Sequence, residues 1–263
     1  MALDHASVLE HPGPASRTRP AAWAQLAQRA RPVALAGEQL LPVLPALAPL
    51  LPDGALRRGT AVAVAGAGAA TSLGLALVAG PSQAGSWVAG VGLTSLGLLA
   101  AGELGVALER LVLVAEPPPA LWPTVVAALV DAFDAVLLAP PGHLRPGDAR
   151  RLAARARERG AVLVAMGATG PLAPDVRLTA AAVTWEGAGH GDGHLRARRV
   201  EVEATGRGRA ARPRRAVLWL PDARGRVRLD EPQVAPRALA PAGAATAGVG
   251  VEPGEATAMR QVG

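Results

Sequence analysis

Between Arg58 and Glu103 the chain carries no charged residue, and that gap limits what it can fold into. Two structures satisfy such a stretch. Apolar helices of about 20 residues can cross a bilayer, or strands and helices can be covered on both faces of a parallel sheet. The richness in Gly and Ala and the polar string GPSQAGS at 80–86 argue against a membrane hairpin. The stretch divides instead into pieces of strand and helix length: TAVAVAG, TSLGLALVAG, SWVAGVGL and SLGLLAAGELG. The expectation is a buried strand–helix–strand unit in a cytoplasmic protein with no membrane contact.

The same alternation continues. RLVLVAE reads as a strand stopped by Pro117, Pro118 and Pro119, and residues 122–132 read as a helix with Pro123 early, where a missing N–H costs nothing. FDAVLLAP is a buried strand, RPGDARRLAARARERG an amphipathic helix and AVLVAMG another strand. Strands alternating with helices predict an α/β fold with a mainly parallel sheet flanked by helices. VRLTAAAVTWEG, HLRARRVEVEAT and RRAVLWLP then follow without helices between them, and predict antiparallel strands that extend the sheet. Residues 1–37 read as a peripheral arm, 38–229 as the domain and 230–263 as a disordered tail rich in Pro, Ala and Gly.

Composition excludes several chemistries. With no Cys there is no disulfide, thiolate nucleophile or Cys-based zinc site. The start, MALDHASVLEHPG, has Asp4 and Glu10 where a signal peptide has a basic segment and an apolar run. The chain contains no Lys, so all 27 basic residues are Arg, and the net charge of +6 favours an anionic partner weakly.

LPDGALRRGTAVAVAG, followed by TSLGLAL, resembles the approach to a RecA phosphate loop and the helix after it. ELGVALERLVLVAEP and DAFDAVLLAP resemble the segment after the second strand of that core and its Walker-B strand. The resemblance covers residues 40–185 and implies a RecA-like core. Its hydrolytic side chains are missing. A phosphate loop needs backbone N–H groups, a Lys for the phosphates and a hydroxyl for Mg²⁺. Gly66, Gly68, Thr71 and Ser72 remain as a vestigial loop, but Ala70 stands at the Lys position and Ala69 at the preceding Gly. Alignment on the string LGV puts Leu93 at the catalytic Glu, and Ala139 takes the Walker-B Asp. No catalytic residue, cofactor or metal is expected, and Thr71 and Ser72 are read as caps of the helix they open.

The truncated core, the loop AATSL and the basic segment HLRARRVEVEATGRGRAARPRRAVLWLP resemble the actinobacterial ImuA-type family, written ImuA′. That resemblance implies a non-catalytic accessory of DNA-damage-induced translesion synthesis. The implied partner is an ImuB-like Y-family polymerase homologue, and through it a DnaE-type error-prone polymerase. A SulA-like division inhibitor and a weak nucleotide-binding protein stay open as alternatives. In the basic segment, Arg196, Arg198, Arg199, Arg207, Arg209, Arg212, Arg214 and Arg215 are candidates to contact a DNA backbone if alternate residues share one face. A charged edge that resists aggregation explains the same string. His190 and His194, with Asp192 between them, have metal-ligand spacing, but a polar hairpin turn is preferred. His143 reads as a loop histidine.

Overall fold

The computed structural model describes residues 39–230, apart from residues 67, 142–143, 168–169 and 189–192. The arm 1–37, the tail beyond Asp230, His143, His190 and Asp192 lie outside the described residues.

The Leu/Pro segment forms β1 (Leu40–Pro42) and a 3-10 helix (Pro45–Leu50), and β2 (Ala55–Arg57) returns antiparallel to β1. Then come β3 (Ala61–Ala65), α1 (Ala70–Gln83), β4 (Val88–Val91), α2 (Leu98–Glu103), β5 (Leu111–Val114), α3 (Trp122–Ala132), β6 (Ala135–Leu138), α4 (Pro146–Arg159) and β7 (Val162–Met166). The chain continues through β8 (Val176–Ala188), β9 (Gly193–Gly206), β10 (Arg214–Trp219) and β11 (Arg228–Leu229). Among the described residues one nine-stranded sheet runs in the order β11-β10-β9-β8-β3-β7-β6-β4-β5. Strands β3 to β8 pair in parallel, and β8 to β11 extend the sheet antiparallel. This is the α/β architecture expected from the sequence.

The charge-free stretch becomes β3, α1, β4 and the start of α2. No helix among the described residues is long and apolar enough to cross a membrane. In α1 every residue from Leu73 to Ser82 is buried, as a helix apolar all round must be. It covers one face of the sheet with the 3-10 helix, over Val62, Val64, Leu137, Val164, Leu178, Val200 and Leu218. Helices α3 and α4 cover the other face through Trp122, Val126, Val130, Leu152 and Ala156, over Ala89, Val136, Leu138 and Leu163. Each fully buried Leu or Val contributes about 1.5–3 kcal/mol, so both faces matter to stability.

Two boundaries differ from expectation. The polar string at 80–86 begins inside α1, because Ser82 is satisfied there: its Oγ donates to the Ala79 carbonyl at 2.8 Å and accepts from the Ala107 N–H at 3.0 Å. The helix expected over 95–105 shortens to α2, leaving Leu98 and Leu99 50% and 77% exposed. Elsewhere the punctuation works as read: α4 stops at Gly160, whose φ of 68° is left-handed. At the amino ends of the strands, Asp134 accepts from Arg58 at 2.8 Å and from the Trp87 N–H at 3.0 Å, tying β3, β4 and β6 together.

Gly80 is where α1 meets the end of β1. A Cβ there would lie 2.7 Å from the Val43 backbone. Ala normally stabilises a helix interior by about 1 kcal/mol relative to Gly, but overpacking against backbone costs about 1–3 kcal/mol. Gly80→Ala is therefore expected to lower the urea midpoint, the reverse of its helix propensity.

Candidate functional site

The site lies at the carboxyl ends of the parallel strands, where α/β sheets bind ligands. Strand β3 ends at Ala65, and the chain turns through Gly66 and Gly68, with φ of 116° and 73°, into α1. Both glycines are required by backbone conformation. At Gly66 a Cβ would also fall 2.6 Å from Ala180 of β8, so β8 presses directly on the loop.

The N-cap of α1 is Ala69, which makes no side-chain capping bond. This corrects the reading of Thr71 and Ser72 as caps: both lie inside the first turn, which closes through the Leu73 N–H to Ala69 carbonyl bond at 2.9 Å. The first helical residue is Ala70. Leu93 is partly buried against the core beside Gly90 of β4, and Ala139 follows β6 as an exposed methyl. Ala70, Leu93 and Ala139 are the residues at which the RecA resemblance expects Lys, Glu and Asp.

The cation at the loop comes from elsewhere. Arg198, on β9, is only 4% exposed. Its Nε donates to the Leu220 carbonyl at 2.6 Å, its Nη1 donates to the Gly68 carbonyl, and its guanidinium lies 5.0 Å from the centre of the Trp185 ring. Burial pushes its pKa below the usual arginine value. A desolvated guanidinium over an indole is worth about 2 kcal/mol, and hydrogen bonds from a charged group about 1.5–3 kcal/mol each. Together they offset the desolvation of a cation that pairs with no carboxylate among the described residues. Arg198 thus couples the C-terminal strands to the loop.

That placement removes Arg198 from the candidate DNA-contacting set, and the remaining arginines do not form one stripe. In β9 the inward residues are Arg198, Val200, Val202 and Ala204, while Arg199, Glu201 and Glu203 turn to the opposite face. Arg199 pairs with Asp230 at 2.6 Å, Arg215 with Glu203 at 3.2 Å, Arg207 with Asp175 at 3.4 Å and Arg209 with Asp53 at 3.7 Å. Arg196, Arg212 and Arg214 have no carboxylate partner among the described residues. Because Arg214 lies opposite Ala204, Arg196 and Arg214 are about 26 Å apart along the strands. Asp230, assigned above to the tail, is an anchor of the fold: it accepts from Arg199 and, at 3.0 Å, from the Trp219 indole N–H.

His194 is exposed on β9, and no group of three or more metal-ligating side chains occurs among the described residues. A cavity of about 180 Å³ lies at the opposite end of β3, floored by Leu51, Leu56, Val62, Val176 and Ala210. The charges at its mouth, Asp53, Asp175, Arg57, Arg207 and Arg209, are paired with one another, so the cavity is a salt-bridged seam remote from the loop.

The sequence reading missed the part played by Arg198, although a signal existed. Val200, Val202 and Ala204 alternate with Glu201 and Glu203, and extending that period-two pattern backwards puts Arg198 on the buried face. No local pattern pointed to its acceptors, Gly68 and Leu220, which are distant in sequence.

A glycine turn opening a buried helix at the end of a central parallel strand, with an antiparallel extension of the sheet, defines a RecA-like α/β domain. A solved structure shows the same class of fold. The crystal structure of the RadB recombinase superposes with a TM-score of 0.51 at 15% identity, covering 70% of this chain and 96% of that one; the likeness is one of fold. Residues 49–171 match the family described as the MT3502 N-terminal domain. The uncharacterized protein Rv3395c of Mycobacterium tuberculosis is 40% identical over 119 residues, 44% of this chain, and the match spans 56% of that relative's length.

Arg198→Met keeps the stem but leaves the Gly68 and Leu220 carbonyls without their donor. The variant is expected to lose about 2 kcal/mol of stability. Hydrogen exchange should accelerate at Gly68–Thr71, and the Trp185 fluorescence should change. Exchange at the loop equal to that of the parent protein would show that Arg198 does not hold it.

Proposed function

We propose that this protein is a non-catalytic RecA-like accessory of DNA-damage-induced translesion synthesis that works by binding other proteins. The observation that carries the reading is the state of the phosphate-loop position. Its Lys, Glu and Asp positions are Ala70, Leu93 and Ala139, and the Gly68 carbonyl is held by Arg198. Phosphoryl transfer depends almost entirely on positioned charge, and at this loop the placed charge is spent on the protein's own backbone. What remains is a rigid α/β scaffold with surfaces to offer.

The partner follows from the resemblance to the ImuA-type family: an ImuB-like Y-family polymerase homologue, with a DnaE-type error-prone polymerase reached through it. The match to the MT3502 N-terminal domain family and the RadB-like fold are consistent with this reading at the level of the scaffold. A DNA backbone is at most a secondary ligand, since most candidate arginines are paired or buried.

The purified protein is expected to show no ATP turnover above background, with or without single-stranded DNA, and Ala70→Lys alone should not create any. A DNA-stimulated rate abolished by Thr71→Ala would overturn the reading. The partner assignment has its own test. Deleting the residues after Asp230 should leave the thermal unfolding transition in place, because the bonds of Asp230 to Arg199 and Trp219 are kept, and should weaken capture of the ImuB-like protein in a pull-down. Full retention of binding by the truncated chain would move the docking surface onto the folded domain.

A further inference from the structure

The two ends of the sheet are finished differently. At one end β11 is short, and its strand is tied down by Asp230 through Arg199 and Trp219. At the other end β5 is, among the described residues, an edge strand whose residues, LVLV, are all apolar, and Val112 and Leu113 are 37% and 40% exposed. Leu98, Leu99 and Leu108 are exposed as well, on α2 and the turn leading into β5. No Pro, bulge or charge interrupts β5 itself, and natural edges normally carry one of these to prevent pairing.

The backbone and the flanking charges specify what fits this edge. Val114 turns its carbonyl toward β4, accepting from the Gly92 N–H at 3.1 Å. By alternation Leu111, Leu113 and Ala115 turn their N–H and C=O groups outward. Arg110 ends the 3-10 turn that precedes the strand, its guanidinium 5.2 Å from the centre of the Trp87 ring and donating to the Gly85 carbonyl at 3.2 Å; Glu116 follows the strand and makes no ion pair or hydrogen bond with any described residue. An antiparallel approach of a second β5, centred on Leu113, places Leu113 opposite Leu113 and Leu111 opposite Ala115 of the second copy. These are the outward-facing groups, so each such pair exchanges its hydrogen bonds. The same register places Arg110 opposite Glu116 of the second copy at both ends. Sliding the strands toward Pro117 would put a residue without an N–H opposite Leu111. Sliding them the other way would set Arg110 against Val114.

We propose that β5 is a self-association edge: two copies of this chain pair antiparallel through Leu111–Ala115, related by a two-fold axis at Leu113, into one continuous sheet. Leu113 packs on Leu113 of the second copy on the α1 face, and Val112 packs on Val114 of the second copy on the α3 face. An isologous contact of this kind closes on itself and does not propagate. The proposal concerns the folded domain and is independent of the partner assigned above.

Sedimentation equilibrium on the full chain tests it. The parent protein is expected to be a dimer that dissociates on dilution. Leu113→Pro removes an outward N–H and no β4–β5 bond, as Pro is tolerated on an edge strand. It should be monomeric with an unchanged circular-dichroism spectrum. Glu116→Arg changes an exposed side chain, sets like charges opposite each other at both ends, and should raise the dissociation constant roughly tenfold or more. Should Leu113→Pro fail to fold, Glu116→Arg decides alone. A monomeric parent protein overturns the proposal, as does a dimer of undiminished affinity in Glu116→Arg. A dimer abolished by removing residues 1–38 but unaffected by Glu116→Arg would give the edge to the N-terminal segment instead.

Discussion

Everything in this fold depends on covering the uncharged segment from β3 through α1 to β4 on all sides. Helix α1 has no polar face to give to water, so the sheet beneath it, the 3-10 helix and β1 beside it and α2 at its end must all be in place before it is stable. Small side chains make the coverage possible. Gly74 lets α1 approach Met166 of β7, and Gly80 lets it touch the β1 backbone. Such close approach stands in for the bulky aromatics that the chain lacks, since a single Phe and five Trp cannot fill a two-faced core.

The phosphate-loop position inherits its character from that arrangement. In a nucleotide-binding domain the loop's backbone is organised around an anion. Here Gly66 is pressed by β8 and Gly68 is held by Arg198 from β9, so the antiparallel extension takes part in ordering the loop. The extension and the glycine turn are therefore joined, through Ala180 at Gly66 and Arg198 at Gly68. The arginines that look like a nucleic-acid surface in sequence largely serve the same extension, each ion pair fastening a strand, a turn or the 3-10 helix region to its neighbour.

The sheet's asymmetry follows from how the chain ends its strands. The β11 edge is closed by a carboxylate bonded to a guanidinium and an indole. Among the described residues the β5 edge is bounded by the charges that flank it, with α2 too short to cover it. An apolar strand at the rim of a sheet offers unsatisfied backbone groups together with apolar side chains, and it is the complementary order of Arg110 and Glu116 that turns a liability into a specific edge.

Much of the architecture was legible in the sequence because it rests on local physics. Alternating apolar runs and turn residues marked β3 to β10, the Arg-faced helix α4 and its Gly160 stop, and the all-apolar α1. What only the tertiary structure decided are contacts between residues far apart in the chain: Arg198 on Gly68 and Leu220, Asp230 on Arg199 and Trp219, and the carboxylates that take up Arg207, Arg209 and Arg215. An arginine's sequence neighbours do not reveal whether its guanidinium faces water or a carbonyl more than a hundred residues away. That is settled by strand register and by which face the helices cover, and both arise only when the sheet is assembled.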